Sequence, residues 1–276
     1  MVHIVEHTEA TLGGAQSVDR ALALLSLVAR HSDEGIALSA IVRESGLNKA
    51  TARRLLLALM RAGLIGQAAD RRSYFLGEEA YFLGQMAQSR HGLLTHAMDS
   101  LQRLARETGD AAFVSVRRGL YGFCLHREDG AYPIRTYALM PGAHHPLGVG
   151  AGTLAMLAAL PDIEAEAVID GNRAEMERSY PLLTPERLRA LCAQTRETGV
   201  ALNPGLVFED SWGLGVALHG PDGWLVGAVS LAAVQSRMRK PRRDELARQL
   251  QAEARMIEKR LAGGAAQGRT GEGQTR

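Results

Sequence analysis

The segment Leu47-Asn48-Lys49-Ala50-Thr51-Ala52-Arg53-Arg54-Leu55-Leu56 decides how the rest of the chain is read. Asn48 is a good helix N-cap, and the helix it opens runs over 49–62 until Gly63 stops it. At about 100° per residue, Ala52, Leu55, Leu59 and Ala62 share one side, the expected buried face. Ala50, Arg53, Arg54, Leu57 and Arg61 point the opposite way, with Lys49 on the flank. A cationic face that begins in the first turn suits the DNA major groove, where guanine O6 and N7 accept a bidentate guanidinium. Asn48, Thr51 and the open first-turn amides suit phosphate, and small Ala50 permits close approach. Leu57 has two readings: packing on a neighbouring hairpin or touching a thymine methyl.

Working outward, a short helix is expected over 39–45, with Gly46-Leu47 as a tight turn before Asn48. Upstream, Ser17 is expected to cap a helix over 18–31 whose buried stripe is Val18, Ala21, Leu22, Leu25 and Ala29. Its other apolar residues, Ala23, Leu24 and Leu27, need a second partner and are the expected surface for two-fold pairing. Downstream, 64–67 and 73–76 read as a hairpin whose tip, Asp70-Arg71-Arg72, reaches phosphate or the minor groove. Arg71 and Arg72 as ordinary turn residues is the plainer alternative. The order of helix, short helix, turn, helix and hairpin predicts a winged helix-turn-helix over 16–77.

Charge agrees with this order. Between Arg43 and Arg72, seven cations stand against two anions, a net +5 in a chain whose total is +2. That island is the footprint expected of a phosphate-binding surface, although a solvated helix face accounts for the charge alone equally well.

The remaining chain reads as a second domain. With 276 residues, 46% apolar and 22% charged, there is room for one large globular domain or two ordinary ones. Residues 1–15 are an expected flexible lead, 78–92 a linker helix, 93–262 a second domain and 263–276 a disordered tail. Within the second domain, strands are expected at 111–117, 121–127, 133–139, 200–203, 213–218 and 224–230. Helices are expected at 93–107, 150–160, 163–169, 184–198 and 242–261. The expected class is therefore α+β, a mixed sheet with helices packed on it.

Other function classes find little support. The longest near-apolar run, Gly148–Leu160, is too short to span a membrane. The start of the chain has neither the basic residues nor the apolar core of a secretory signal. Two cysteines, Cys124 and Cys192, build no disulfide framework, so a cytoplasmic setting is expected. His126, His144, His145 and Cys124 lack metal-ligand spacing. The glycines of 148–152 lack the lysine of a phosphate loop. No nucleophile–base arrangement is apparent, so no enzyme, metal or cofactor is expected. A small-molecule enzyme with an accessory helical domain, and a first domain that binds protein rather than DNA, are the rival readings.

Five segments in order resemble the IclR-type family of bacterial transcriptional regulators. They are Gln16–Leu22, Leu47–Leu56, Tyr74–Gly77, Pro146–Gly152 and Trp224–Ala232. The resemblance spans about 16–261. It implies a GAF-like effector domain behind the DNA-binding module, a homodimer or homotetramer on operator DNA, and control by a small metabolite. By position it implies effector contacts at Gly150, Ala151, Asn203, Ser211, Gly213, Ser230 and Ala232. A helix start with amide and hydroxyl side chains suits an organic or aromatic acid. Asn203 stands where many members carry an acid, Ala232 where some carry a second serine, and the loop before Gly150 is one residue shorter than in many members. Phe208, Trp212 and His145 lie close by in sequence and are candidates for shaping such a pocket.

Overall fold

A computed structural model describes residues 15–31, 34–68, 71–134 and 139–270. These fall into two compact units, one ending at His91 and the other beginning at Gly92. The expected lead up to Gly14, the tip residue Asp70 and the core of the 133–139 strand lie outside the described residues.

The first unit contains α1 (Gln16–Arg30), β1 (Ile36–Ala37), α2 (Leu38–Ser45), α3 (Lys49–Arg61), β2 (Ile65–Gln67), β3 (Ser73–Leu76) and α4 (Glu78–His91). Gly46, in the left-handed region, ends α2 and turns the chain into α3. The hairpin forms as expected and gains a third strand, because β1 pairs antiparallel with β3 in the order β1-β3-β2. Leu24, Leu27, Val28, Ile41, Leu55, Leu56, Leu59, Ile65 and Tyr74 make one core.

Two expectations need correction here. Helix α1 starts at Gln16 after Ala15, which supplies no side-chain cap, so Ser17 lies inside the helix. It also buries Leu24, Leu27 and Val28, whereas Val18 and Leu22 are exposed. Both faces of α1 are apolar, and the one with larger side chains removes more area from water against α2 and α3. Leu24 and Leu27 are therefore core and cannot serve as a pairing surface.

The second unit contains α5 (Leu93–Thr108), β4 (Ala111–Arg118), β5 (Tyr121–Glu128), β6 (His144–Pro146), α6 (Ala151–Ala158), α7 (Asp162–Ser179), α8 (Pro185–Thr198), β7 (Ala201–Phe208), β8 (Ser211–His219), β9 (Leu225–Val234) and α9 (Arg242–Thr270). The α+β class is as expected. The sheet, in the order β6-β5-β4-β9-β8-β7, is antiparallel at every pairing rather than mixed. Neighbouring strands are joined largely by hairpins, and no strand–helix–strand crossover creates a parallel pair. Strand β6, His144-His145-Pro146, has no alternating pattern and is an addition to the expected strands. Helix α9 continues through 263–270, part of the expected disordered tail, as an extension of a helix already anchored by Leu246, Leu250, Ala254 and Ile257.

The two-residue period of the strands separates two cores. Ala112, Val114, Leu214, Leu218, Val229, Leu231 and Ala233 point to α5 and α9. Phe113, Ser115, Ser211, Gly213, Ser230 and Ala232 occupy the alternate positions, on the face covered by α6. Helix α6 is buried along its whole length, with α7 and α8 packed outside it.

Candidate functional site

Asn48 caps α3: its Oδ1 accepts the Thr51 N–H at 2.8 Å. That oxygen is thereby engaged, and the side-chain amide hydrogens face outward as donors. The buried side of α3 is Ala52, Leu55, Leu56 and Leu59; Ala62, expected there, is the exposed C-cap. Lys49, Ala50, Arg53, Arg54, Leu57 and Arg61 are exposed, and Thr51 is half-buried. Arg53, Arg54 and Arg61 form no ion pair among the described residues, and α3 contains no acid. At the wing tip Arg71 and Arg72 are exposed. Arg72 adopts a left-handed φ of 52°, and its carbonyl accepts the Gln67 side-chain amide at 3.0 Å. The structure thus brings the predicted cations to solvent on the helix and the wing of one unit.

The second site is a cavity between α6 and the sheet, with about 570 Å³ of open space including its mouth. Gly150, Ala151, Asn203, Ser211, Gly213, Ser230 and Ala232 all line it. Strand register explains the convergence. Asn203 pairs with Gly213, which pairs with Ala232; Gly215 pairs with Ser230, which pairs with Phe113. Glycines let α6 approach. A Cβ on Gly215 would meet the Ala151 carbonyl oxygen at 2.3 Å, and one on Gly152 would meet Ser230 Oγ at 3.1 Å. Gly150, with φ 87°, opens α6 without a side-chain cap.

The lining combines polar and apolar residues, with no Lys, Arg, Asp or Glu among the described residues. Ser115, Ser211 and Ser230 are 2%, 7% and 7% exposed. Their hydroxyls make no hydrogen bond among the described residues. Three serine hydroxyls that stay open to the cavity, beside a helix start without a side-chain cap, form a set of donors that a bound molecule can engage. Asn203 Oδ1 accepts the Leu206 N–H at 3.0 Å, which leaves its NH₂ as the group to offer.

Sequence reasoning missed Phe113, Ser115, Leu139, Val149, Thr153 and Val207 as lining residues. For Phe113 and Ser115 a signal existed, since they alternate with the core residues Ala112 and Val114. Of the neighbours considered earlier, His145 lines the cavity and shares a 3.0 Å hydrogen bond between its Nδ1 and the Tyr180 hydroxyl. Trp212 borders it while packing against the α5/α9 core, and Phe208 is exposed away from it.

The cysteines are not part of either site. Burial pushes the Cys124 thiol up to about 12, and the Cys192 thiol up to about 11. Both stay protonated at pH 8, so a thiolate-selective disulfide reagent is expected to label neither until urea unfolds the chain. The folded values lie above an unfolded value of ~8.5. This contribution to stability is therefore complete below that pH and is lost as pH rises through the folded values.

The two units define a class of protein: a DNA-binding transcriptional regulator whose second domain carries a cavity between a buried helix and the sheet. Residues 17–69 match the IclR helix-turn-helix domain, and residues 85–259 match the domain described as bacterial transcriptional regulator IclR C-terminal. The chain belongs to the IclR family of bacterial transcriptional regulators.

It is 26% identical to the HTH-type transcriptional regulator XynR of Escherichia coli over 81% of this chain and 88% of that one. It is 29% identical to the glycerol operon regulatory protein of Streptomyces griseus over 81% of this chain and 86% of the other. Among solved structures, an IclR-type chain from Silicibacter sp. TM1040 superposes with a TM-score of 0.78 at 26% identity, covering 89% of this chain and 96% of that one. An IclR homologue from Microbacterium hydrocarbonoxydans, solved with 4-hydroxybenzoate, shares the fold with a TM-score of 0.69 at 20% identity, over 89% and 98% of the two chains. Among the described residues no helix is long and apolar enough to cross a membrane.

Proposed function

We propose that the chain reads an operator through Asn48, Lys49, Ala50, Thr51, Arg53 and Arg54 of the α3 region, with Arg71 and Arg72 on neighbouring phosphate or in the minor groove. An organic or aromatic acid in the α6 cavity controls that reading. Its carboxylate lies on the first-turn amides of α6 and the hydroxyls of Ser115, Ser211 and Ser230. Its apolar body lies against Phe113, Leu139 and Val207. The single observation that carries the effector half is the set of three serine hydroxyls, without hydrogen-bond partners among the described residues, that line one cavity beside the start of α6. The 4-hydroxybenzoate held by a structural relative is a ligand of the same chemical kind.

The protein acts in the cytoplasm as a homodimer or homotetramer. Exposed Val18 and Leu22 of α1, with Tyr81, Phe82, Leu83 and Met86 of α4, supply the apolar surface that pairing requires. Pairing matches a two-fold operator and raises the effective concentration of the second module. The effector favours one of two arrangements of the assembly and shifts operator affinity by its differential binding to them.

Thermal-shift screening of the full chain against aromatic and aliphatic acids tests this. A true effector at a hundred times its Kd adds about 2.7 kcal/mol of stability. Ser230→Leu, which fills the cavity floor, is expected to abolish the shift. A panel that leaves the wild-type midpoint unmoved, or a shift that survives Ser230→Leu, rejects the cavity as the effector site.

A further inference from the structure

Leu57 is 45% exposed and takes no part in the core of its unit. On α3 it falls within about 20° of Ala50 and about 40° of Arg61, one to two turns from each. Arg53 stands one turn before it and Arg61 one turn after, both exposed. A lone exposed leucine is ordinary. One at the centre of a cationic, acid-free helix face is a specific juxtaposition, an apolar contact flanked by guanidinium groups. Leu57 stays outside the core cluster that β2 and β3 share with the helices, which leaves its side chain open to a partner.

The major-groove edge offers the complement. Guanine presents two acceptors, and thymine presents a C5-methyl group beside its neighbours' acceptors. No acidic residue on α3 opposes approach to phosphate. An acidic protein partner would satisfy the arginines without supplying the ordered alternation of acceptor and methyl that this face matches.

We propose that Leu57 is a specificity-determining residue that reads the C5-methyl of a thymine, next to bases bonded by Arg53 or Arg54. The proposal rests on the DNA-binding reading given above. Ala50, small and on the same line, leaves the helix free to lie close enough for that contact.

The test uses the full chain and a random duplex pool. Bound duplexes are selected, and the most enriched is remade with each thymine in turn replaced by deoxyuridine, which differs only by the methyl. The wild type is expected to lose about three- to tenfold in affinity at one thymine per half-site, the worth of one or two methyl-sized contacts. Leu57→Ala is expected to lose the same factor on the thymine duplex and nothing further on the uracil duplex. Arg53→Ala is expected to keep the uracil penalty. Leu57 is exposed, so its replacement leaves the unfolding midpoint unchanged. Indifference of the wild type to every uracil overturns the proposal, as does an undiminished uracil penalty in Leu57→Ala. A change in sedimentation of Leu57→Ala also overturns it, because Leu57 would then lie between copies. Those results leave the DNA-binding reading standing. A selection that enriches no sequence removes that reading and this proposal together.

Discussion

The Arg53→Ala/Arg54→Ala chain is expected to bind operator DNA more weakly by about 2–6 kcal/mol, from a cost of ~1–3 kcal/mol per lost base contact. Both side chains are exposed on the outward face of α3, and neither is held by an acid among the described residues. They reach DNA without first breaking an internal pair. A fluorescence titration at fixed salt, on selected and scrambled duplexes, measures the effect. Loss concentrated on the selected duplex means the arginines read bases. Equal loss on both, with a shallower salt dependence, means they hold phosphate. Unchanged affinity for both duplexes would remove this face from DNA recognition altogether.

Gly215→Val is expected to cost the second domain more than about 3 kcal/mol, the scale of severe overpacking and backbone conflict. The added Cβ would sit 2.3 Å from the Ala151 carbonyl oxygen and 2.5 Å from its carbon. These are backbone atoms at a helix start, so no side chain can swing aside. Helix α6 would have to back off β8, and α6 is buried at every position. Both tryptophans, Trp212 and Trp224, lie in this domain, so their fluorescence reports its urea unfolding. Where the variant still folds, the same displacement carries the first turn of α6 away from Ser230 and weakens effector binding. A wild-type unfolding midpoint would show that contact between α6 and β8 contributes little.

The parts of the fold that were legible in the sequence are those where a local pattern has one interpretation. Helix α3 is an example: a capping asparagine, a single apolar stripe and a glycine stop leave one register, with only Ala62 on the wrong face. The β2–β3 hairpin and the β4–β5 pair follow the same logic. Helix α1 was harder. Apolar residues surround it, and its periodicity names a stripe without saying which stripe meets the core. The cavity was legible through resemblance to a family at seven positions. Ser115 and Phe113 required knowing which face of β4 points toward α6.

What the sequence by itself determined is the local chemistry: where α3 starts, which residues alternate along strands, and that arginines share one side of α3. These follow from backbone geometry over three to eight residues. Only the tertiary structure decided that α1 buries Leu24 and Leu27, that the sheet is antiparallel throughout, and that Phe113 and Ser115 of β4 join the start of α6 in one cavity. Those outcomes depend on strand order and on close contact between glycines and a helix far apart along the chain, and no short window of sequence encodes such a meeting.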